Sequence, residues 1–80
     1  MYYVYIIRSK KFPNQYYTGF TADLEPRIEK HNKGDVPHTS KFIPWELDAY
    51  FSFKTEELAH SFELYLKSGS GREFARRHFR

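Results

Sequence analysis

The segment YYVYIIRS, residues 2–9, is apolar at nearly every position and is built from aromatic and β-branched side chains. A strand with one wet face alternates, whereas an unbroken apolar run fits a strand buried on both faces. For a chain of 80 residues that is a demanding start. A domain of this size buries only about 60% of the surface its unfolded chain exposes, so the core is thin. There is no cysteine to staple it, and the four histidines are too scattered for a structural zinc. Packing must carry the stability. Aromatic residues, 20% of the chain, bring the most buried area per side chain.

After this strand, Pro13 and Asn14 mark a turn, and QYYTGF resumes β character up to Gly19, which predicts a β-hairpin. With the loop centred near Lys11, opposed residues sum to about 22, and Tyr5 faces Tyr17. Asp23 is a good N-cap for a helix with Pro26 in its first turn. That helix is expected to run to about Lys33, where Gly34 stops it. DVPHTSKFIP reads as an irregular loop. WELDAYFSF then alternates, which predicts a third strand with Trp45, Leu47, Ala49 and Phe51 on one side. Thr55 caps a second helix whose apolar face is Leu58, Ala59, Phe62, Tyr65 and Leu66. SGSG is expected to break it before a short helix over REFARRHF. The order is β-β-α-β-α(-α) in a single domain, residues 1–80. The simplest layered solution is an α+β fold, a three-stranded antiparallel sheet flanked by helices.

Charge is unevenly placed. Residues 1–66 hold eight Lys/Arg against nine Asp/Glu, whereas the basic segment 67–80 holds Lys67, Arg72, Arg76, Arg77 and Arg80 against Glu73 alone. Arginine-rich ends often meet phosphate, and they also serve simply as solvated tails. No apolar run is long enough to span a bilayer. The N-terminus is apolar first and basic afterwards, the reverse of a signal peptide, so a cytoplasmic location is expected.

Arg27 and His31 share the helix stripe of Leu24 and Ile28, so they point toward or along the sheet. Two readings are open. Arg27 can lay its stem on apolar surface with a wet head while His31 packs, or the pair can act with the nearby tyrosines. Glu63 lies at the edge of the second helix's apolar face, where an ion pair with Lys67 four residues on is an equally simple role.

Taken in order, these residues resemble the GIY-YIG nuclease superfamily. Tyr3-Val4-Tyr5 stands for the first motif and Tyr17-Thr18-Gly19 for the second. DLEPRIEKHN is similar to the helix that follows, and AHSFELYLKSG to the stretch with the metal-binding glutamate. PWEL and KSGSGREF resemble small stand-alone bacterial members, relatives of the nuclease domain of an excision-repair endonuclease. The resemblance implies a three-stranded antiparallel sheet with helices. It also implies catalytic roles for Tyr5, Tyr17, Arg27 and His31, and Mg²⁺ or Mn²⁺ on Glu63. Two departures stand out. Tyr3 replaces the first-motif glycine, and no asparagine follows Glu63.

The chemistry implied is metal-dependent hydrolysis of phosphodiester bonds in DNA or a structured nucleic acid. Arg27 would meet the phosphate charge. A tyrosine would take the water's proton, helped by His31, or His31, whose ordinary pKa is near 6.5, would act as the base itself. Which tyrosine does so is open. Lys67, Arg72, Arg76, Arg77 and Arg80 would hold nucleic acid, and a protein partner or a second copy of the chain would supply specificity. Two other functions fit the same residues: a nucleic-acid-binding module that does not cut, and a protein-interaction adaptor.

Overall fold

The computed structural model describes residues 1–80. β1 (Tyr2–Ser9) is the central strand of a three-stranded antiparallel sheet, with β2 (Tyr16–Thr21) on one side and β3 (Trp45–Phe53) on the other. Its central place explains the unbroken apolar run. Val4 and Ile6 point into one core layer, against Ala59 and Leu66 of α2 (Glu56–Lys67) with Phe74 and Phe79 of α3 (Gly69–Phe79). Tyr5 and Ile7 point into the other, against Trp45 and against Leu24 and Ile28 of α1 (Leu24–Asn32). No helix is long and apolar enough to cross a membrane.

Several details differ from the sequence-based expectation. The hairpin pairs Tyr5 with Gly19 and Ile7 with Tyr17, so opposed residues sum to 24 rather than 22. The loop is longer than expected, and Ser9 N–H to Gln15 C=O is a bond of 3.0 Å at its mouth. A shift of two keeps the parity, so Tyr5 and Tyr17 still share a face, now diagonally. In β3 the alternation does not hold through the strand. A register shift falls where Ile6 pairs with Ala49 but Ile7 pairs with Leu47, leaving Asp48 as the extra residue. Trp45 therefore joins the α1 layer, whereas Phe51 joins the α2–α3 layer.

The helices also depart in places. Asp23 occupies the N-cap of α1 without a side-chain cap bond; its N–H donates instead to Thr21 Oγ1 at 3.1 Å. Leu58 and Tyr65 are exposed, so the buried stripe of α2 is narrower than predicted. The SGSG segment ends α2 but does not separate it from the last helix by a linker. Ser68 closes α2 and its Oγ accepts from Gly71 N–H to cap α3. A Cβ at Gly71 would meet the Tyr65 carbonyl and Leu66 Cα, so only glycine permits this tight elbow.

Candidate active site

The site forms where β2 ends the sheet, and Gly19 makes it reachable. Tyr5 sits on central β1, one strand in from the edge. Gly19 is its partner, and a Cβ there would lie within van der Waals exclusion of the Tyr5 ring, at 2.9 Å from Cε1. The absent side chain lets the Tyr5 ring lie across β2, with its hydroxyl meeting His31 and Arg27 of α1. Gly34, in contrast, is needed for its positive φ of 80°, which turns the chain after α1.

Tyr5 Oη is 2.8 Å from His31 Nε2 and accepts from Arg27 Nε–H at 3.3 Å. On the far side of the ring, His31 Nδ1 is 2.7 Å from Thr39 Oγ1. Tyr5, His31 and Thr39 are all buried. Burial, and secondarily the Arg27 charge, pull the His31 pKa down from 6.5 to about 4. His31 is thus a neutral imidazole at pH 7, not the group poised near neutrality that its ordinary value suggested. Burial pushes the Tyr5 pKa up, only partly opposed by the hydrogen bond and charge of Arg27. Tyr5 is held as a neutral phenol.

Tyr17 differs from Tyr5 in exposure. Its ring leans on His31, with centroids 5.1 Å apart, and lies 6.5 Å from the Tyr5 ring. It is half-buried, and no buried polar side-chain atom in the protein lacks a partner. The Tyr17 hydroxyl makes no protein hydrogen bond, so it is open to solvent. Arg27 is also half-buried. With its Nε–H on Tyr5, its two terminal nitrogens have no protein partner, and Arg27 borders a shallow cavity with Thr21, Asp23, Pro26 and Lys30.

Glu63 comes from α2, which packs against β1 and β2 from the opposite face. Its carboxylate accepts from Lys67 Nζ at 3.1 Å, and His60 Nε2 is 4.0 Å away. Lys67 Nζ in turn lies 5.7 Å from the Tyr17 ring centre, which ties the carboxylate to the tyrosine edge. No group of three or more His, Cys, Asp or Glu could cage a metal. The donor chemistry fits a different mode: Mg²⁺ commonly binds through one or two carboxylates and completes its shell with water and substrate phosphate.

The family model described as the GIY-YIG catalytic domain matches residues 1–77. The chain belongs to the GIY-YIG catalytic-domain family, and so to a nuclease superfamily. Similar proteins include a UPF0213 protein of Halalkalibacterium halodurans, 36% identical over 89% of this chain and 74% of the relative. Another, from Clostridium perfringens, is 38% identical over 84% of this chain and 71% of the relative. The solution NMR structure of the UPF0213 protein BH0048 from Bacillus halodurans superposes with a TM-score of 0.56 at 35% identity, covering 95% of this chain and 81% of that one.

Within this GIY-YIG fold, Tyr3 packs its ring on Tyr50 of β3, 6.1 Å between centroids, and lines a cavity with Ala22, Asp23 and Pro26. The basic residues divide. Lys67, Arg72 and Arg80 line a groove of about 430 Å³ with Tyr16 and Tyr17, and the Arg80 guanidinium lies 3.7 Å from the Tyr16 ring centre. Arg76 is held by Glu73 at 2.6 Å, and neither Arg76 nor Arg77 lines the groove. The sequence reading missed Thr39 and Asn32. Asn32 clamps Trp45 through both backbone groups, accepting from its N–H and donating to its carbonyl. Asn32 closes the DLEPRIEKHN stretch, whereas Thr39 lies outside every motif and works across a loop, so it carries no local signal.

Proposed function

We propose that this GIY-YIG domain hydrolyses phosphodiester bonds in DNA or a structured nucleic acid, with a divalent metal on Glu63. One observation carries the reading: Lys67 joins the Glu63 carboxylate to the ring of Tyr17, whose hydroxyl is open, at the edge of a cationic groove, while the Tyr5 hydroxyl that holds the Arg27 fork also feels the Glu63 charge. Phosphate of the scissile bond would take the two terminal nitrogens of Arg27, which meet the charge growing on its oxygens. Tyr17 orients the attacking water. As the water oxygen bonds phosphorus and the bond to the 3′ oxygen breaks, the water's proton passes to the Tyr17 oxygen while the phenol's own proton leaves to solvent. The departing 3′ oxygen is protonated from solvent. When bound, Mg²⁺ or Mn²⁺ supplies positive charge to the phosphoryl and leaving oxygens. Tyr5 and His31, both buried, hold Arg27 in place rather than touching water. The flanking strand would follow Lys67, Arg72 and Arg80.

One observation favours a module that binds without cutting: Glu63 is already hydrogen-bonded to Lys67. The test is incubation of the protein with branched, nicked, single-stranded and duplex DNA, and with RNA, in Mg²⁺, Mn²⁺ or EDTA. Cleavage that EDTA and Glu63→Gln both abolish supports the nuclease. Salt-sensitive binding without cleavage in any metal selects the binding module.

A further inference from the structure

We propose that Thr39, outside every motif that defines the site, fixes the tautomer of His31 and through it the aim of Arg27. The inference rests on the reading of Arg27 as the phosphate-binding group, and it follows from counting hydrogens in a buried chain. Thr39 Oγ1 lies 3.3 Å from the Val36 carbonyl and 2.7 Å from His31 Nδ1. A hydroxyl has one proton. Given to Val36, it leaves the oxygen free to accept from Nδ1–H. His31 Nε2 then bears no hydrogen and accepts from Tyr5 O–H, and the Tyr5 oxygen accepts from Arg27 Nε–H. Every donor and every acceptor is matched.

The opposite arrangement fails the same count. If Thr39 donated to Nδ1, then Nε2–H would donate to Tyr5. The Tyr5 oxygen would receive two donors, while its own hydrogen pointed into a fully buried space without an acceptor. The Val36 carbonyl would also lose the hydroxyl. A buried unpaired donor is costly, so the chain runs one way, from Arg27 to Val36.

Thr39 is held firmly enough to set this direction. Its N–H donates to Val36 C=O at 3.1 Å, and its carbonyl accepts from the Trp45 indole at 3.0 Å and from Phe42 N–H at 3.1 Å. Trp45 is fixed by Asn32, the residue after His31. The loop 33–44 is thus pinned to the end of the helix whose histidine it orients. Thr39 is a positioning residue, because it reaches Arg27 only through His31 and Tyr5.

The test uses Thr39→Val, which keeps the shape and loses the hydroxyl, and Thr39→Ser, which keeps the hydroxyl. Imidazole ¹⁵N spectra should show Nδ1–H in the wild type and in Thr39→Ser, and a mixed or reversed tautomer in Thr39→Val. The Arg27 Nε–H signal should be slow to exchange in the first two and fast in the third. With a cleavable substrate, Thr39→Val should lower kcat about ten- to a hundredfold, as loss of an outer partner does elsewhere, with KM little changed. Thr39→Ser should restore it. Nε2–H in the wild type, or an unchanged tautomer in Thr39→Val, overturns the proposal. If the spectra change as stated but no protein cleaves any substrate, the tautomer control stands and the nuclease reading falls.

Discussion

His31 should make the stability of this protein depend on acid in a calculable way. Its pKa falls from 6.5 to about 4 on folding, because burial and Arg27 both disfavour the imidazolium. The unfolded chain therefore takes up a proton below pH 6.5, while the folded chain refuses it until about pH 4. The stabilisation is complete above pH 6.5 and is lost as pH falls from there toward 4. A shift of this size corresponds to about 3 kcal/mol in total, and to roughly 2 kcal/mol between pH 7 and pH 5. In a domain of this length, about 2 kcal/mol moves the thermal midpoint by roughly ten degrees. Urea unfolding of the wild type and of His31→Gln at steps from pH 7 to pH 4.5 measures it. The variant cannot ionise, and the carboxylates and the other three histidines are common to both proteins. The variant starts less stable, yet it should lose about 2 kcal/mol less than the wild type between pH 7 and 5. Parallel curves, or an imidazole of His31 that titrates near 6.5 by NMR, would refute the reasoning.

Four further outcomes are expected. Cleavage should rise with pH and show no inflection near 6.5, since His31 stays neutral there; a bell-shaped profile with an acidic limb at 6.5 would restore His31 as the base. Tyr17→Phe should slow cleavage by about 10²–10⁴-fold with little loss of stability, whereas Tyr5→Phe should destabilise by about 1–3 kcal/mol because His31 Nε2 loses its partner; calorimetry and single-turnover rates separate the two. Gly19→Ala should displace the Tyr5 ring and cost about 1–3 kcal/mol, together with most of the cleavage, and a wild-type melting curve would sink the account of why the second motif ends in glycine. Arg72→Ala and Arg80→Ala should each lower the salt slope of nucleic-acid binding by about one, more than Arg76→Ala, whose guanidinium already faces Glu73; equal losses from all three would show that the groove does not guide the strand.

Much of this protein could be read from local pattern. The unbroken apolar run of YYVYIIRS marked a strand covered on both faces, and it is the central one. Gly34 at the stop of α1 and Thr55 at the cap of α2 did their work within a few residues, where backbone geometry and side-chain hydrogen bonds are decided. The same spacing placed Arg27 and His31 on one face of α1, and both do meet Tyr5. Other features depended on partners distant in the chain. The hairpin register, the bulge at Asp48 and the elbow at Gly71 follow from how strands and helices fit one another, which period-two or period-3.6 counting does not contain. The difference in burial between the two tyrosines also belongs to the fold: Tyr5 lies under α1 and Tyr17 at the open edge, a contrast invisible in two identical side chains. Likewise, only the fold brings Thr39 to His31 and so gives a direction to the proton chain, because a tautomer is chosen by what surrounds both nitrogens at once.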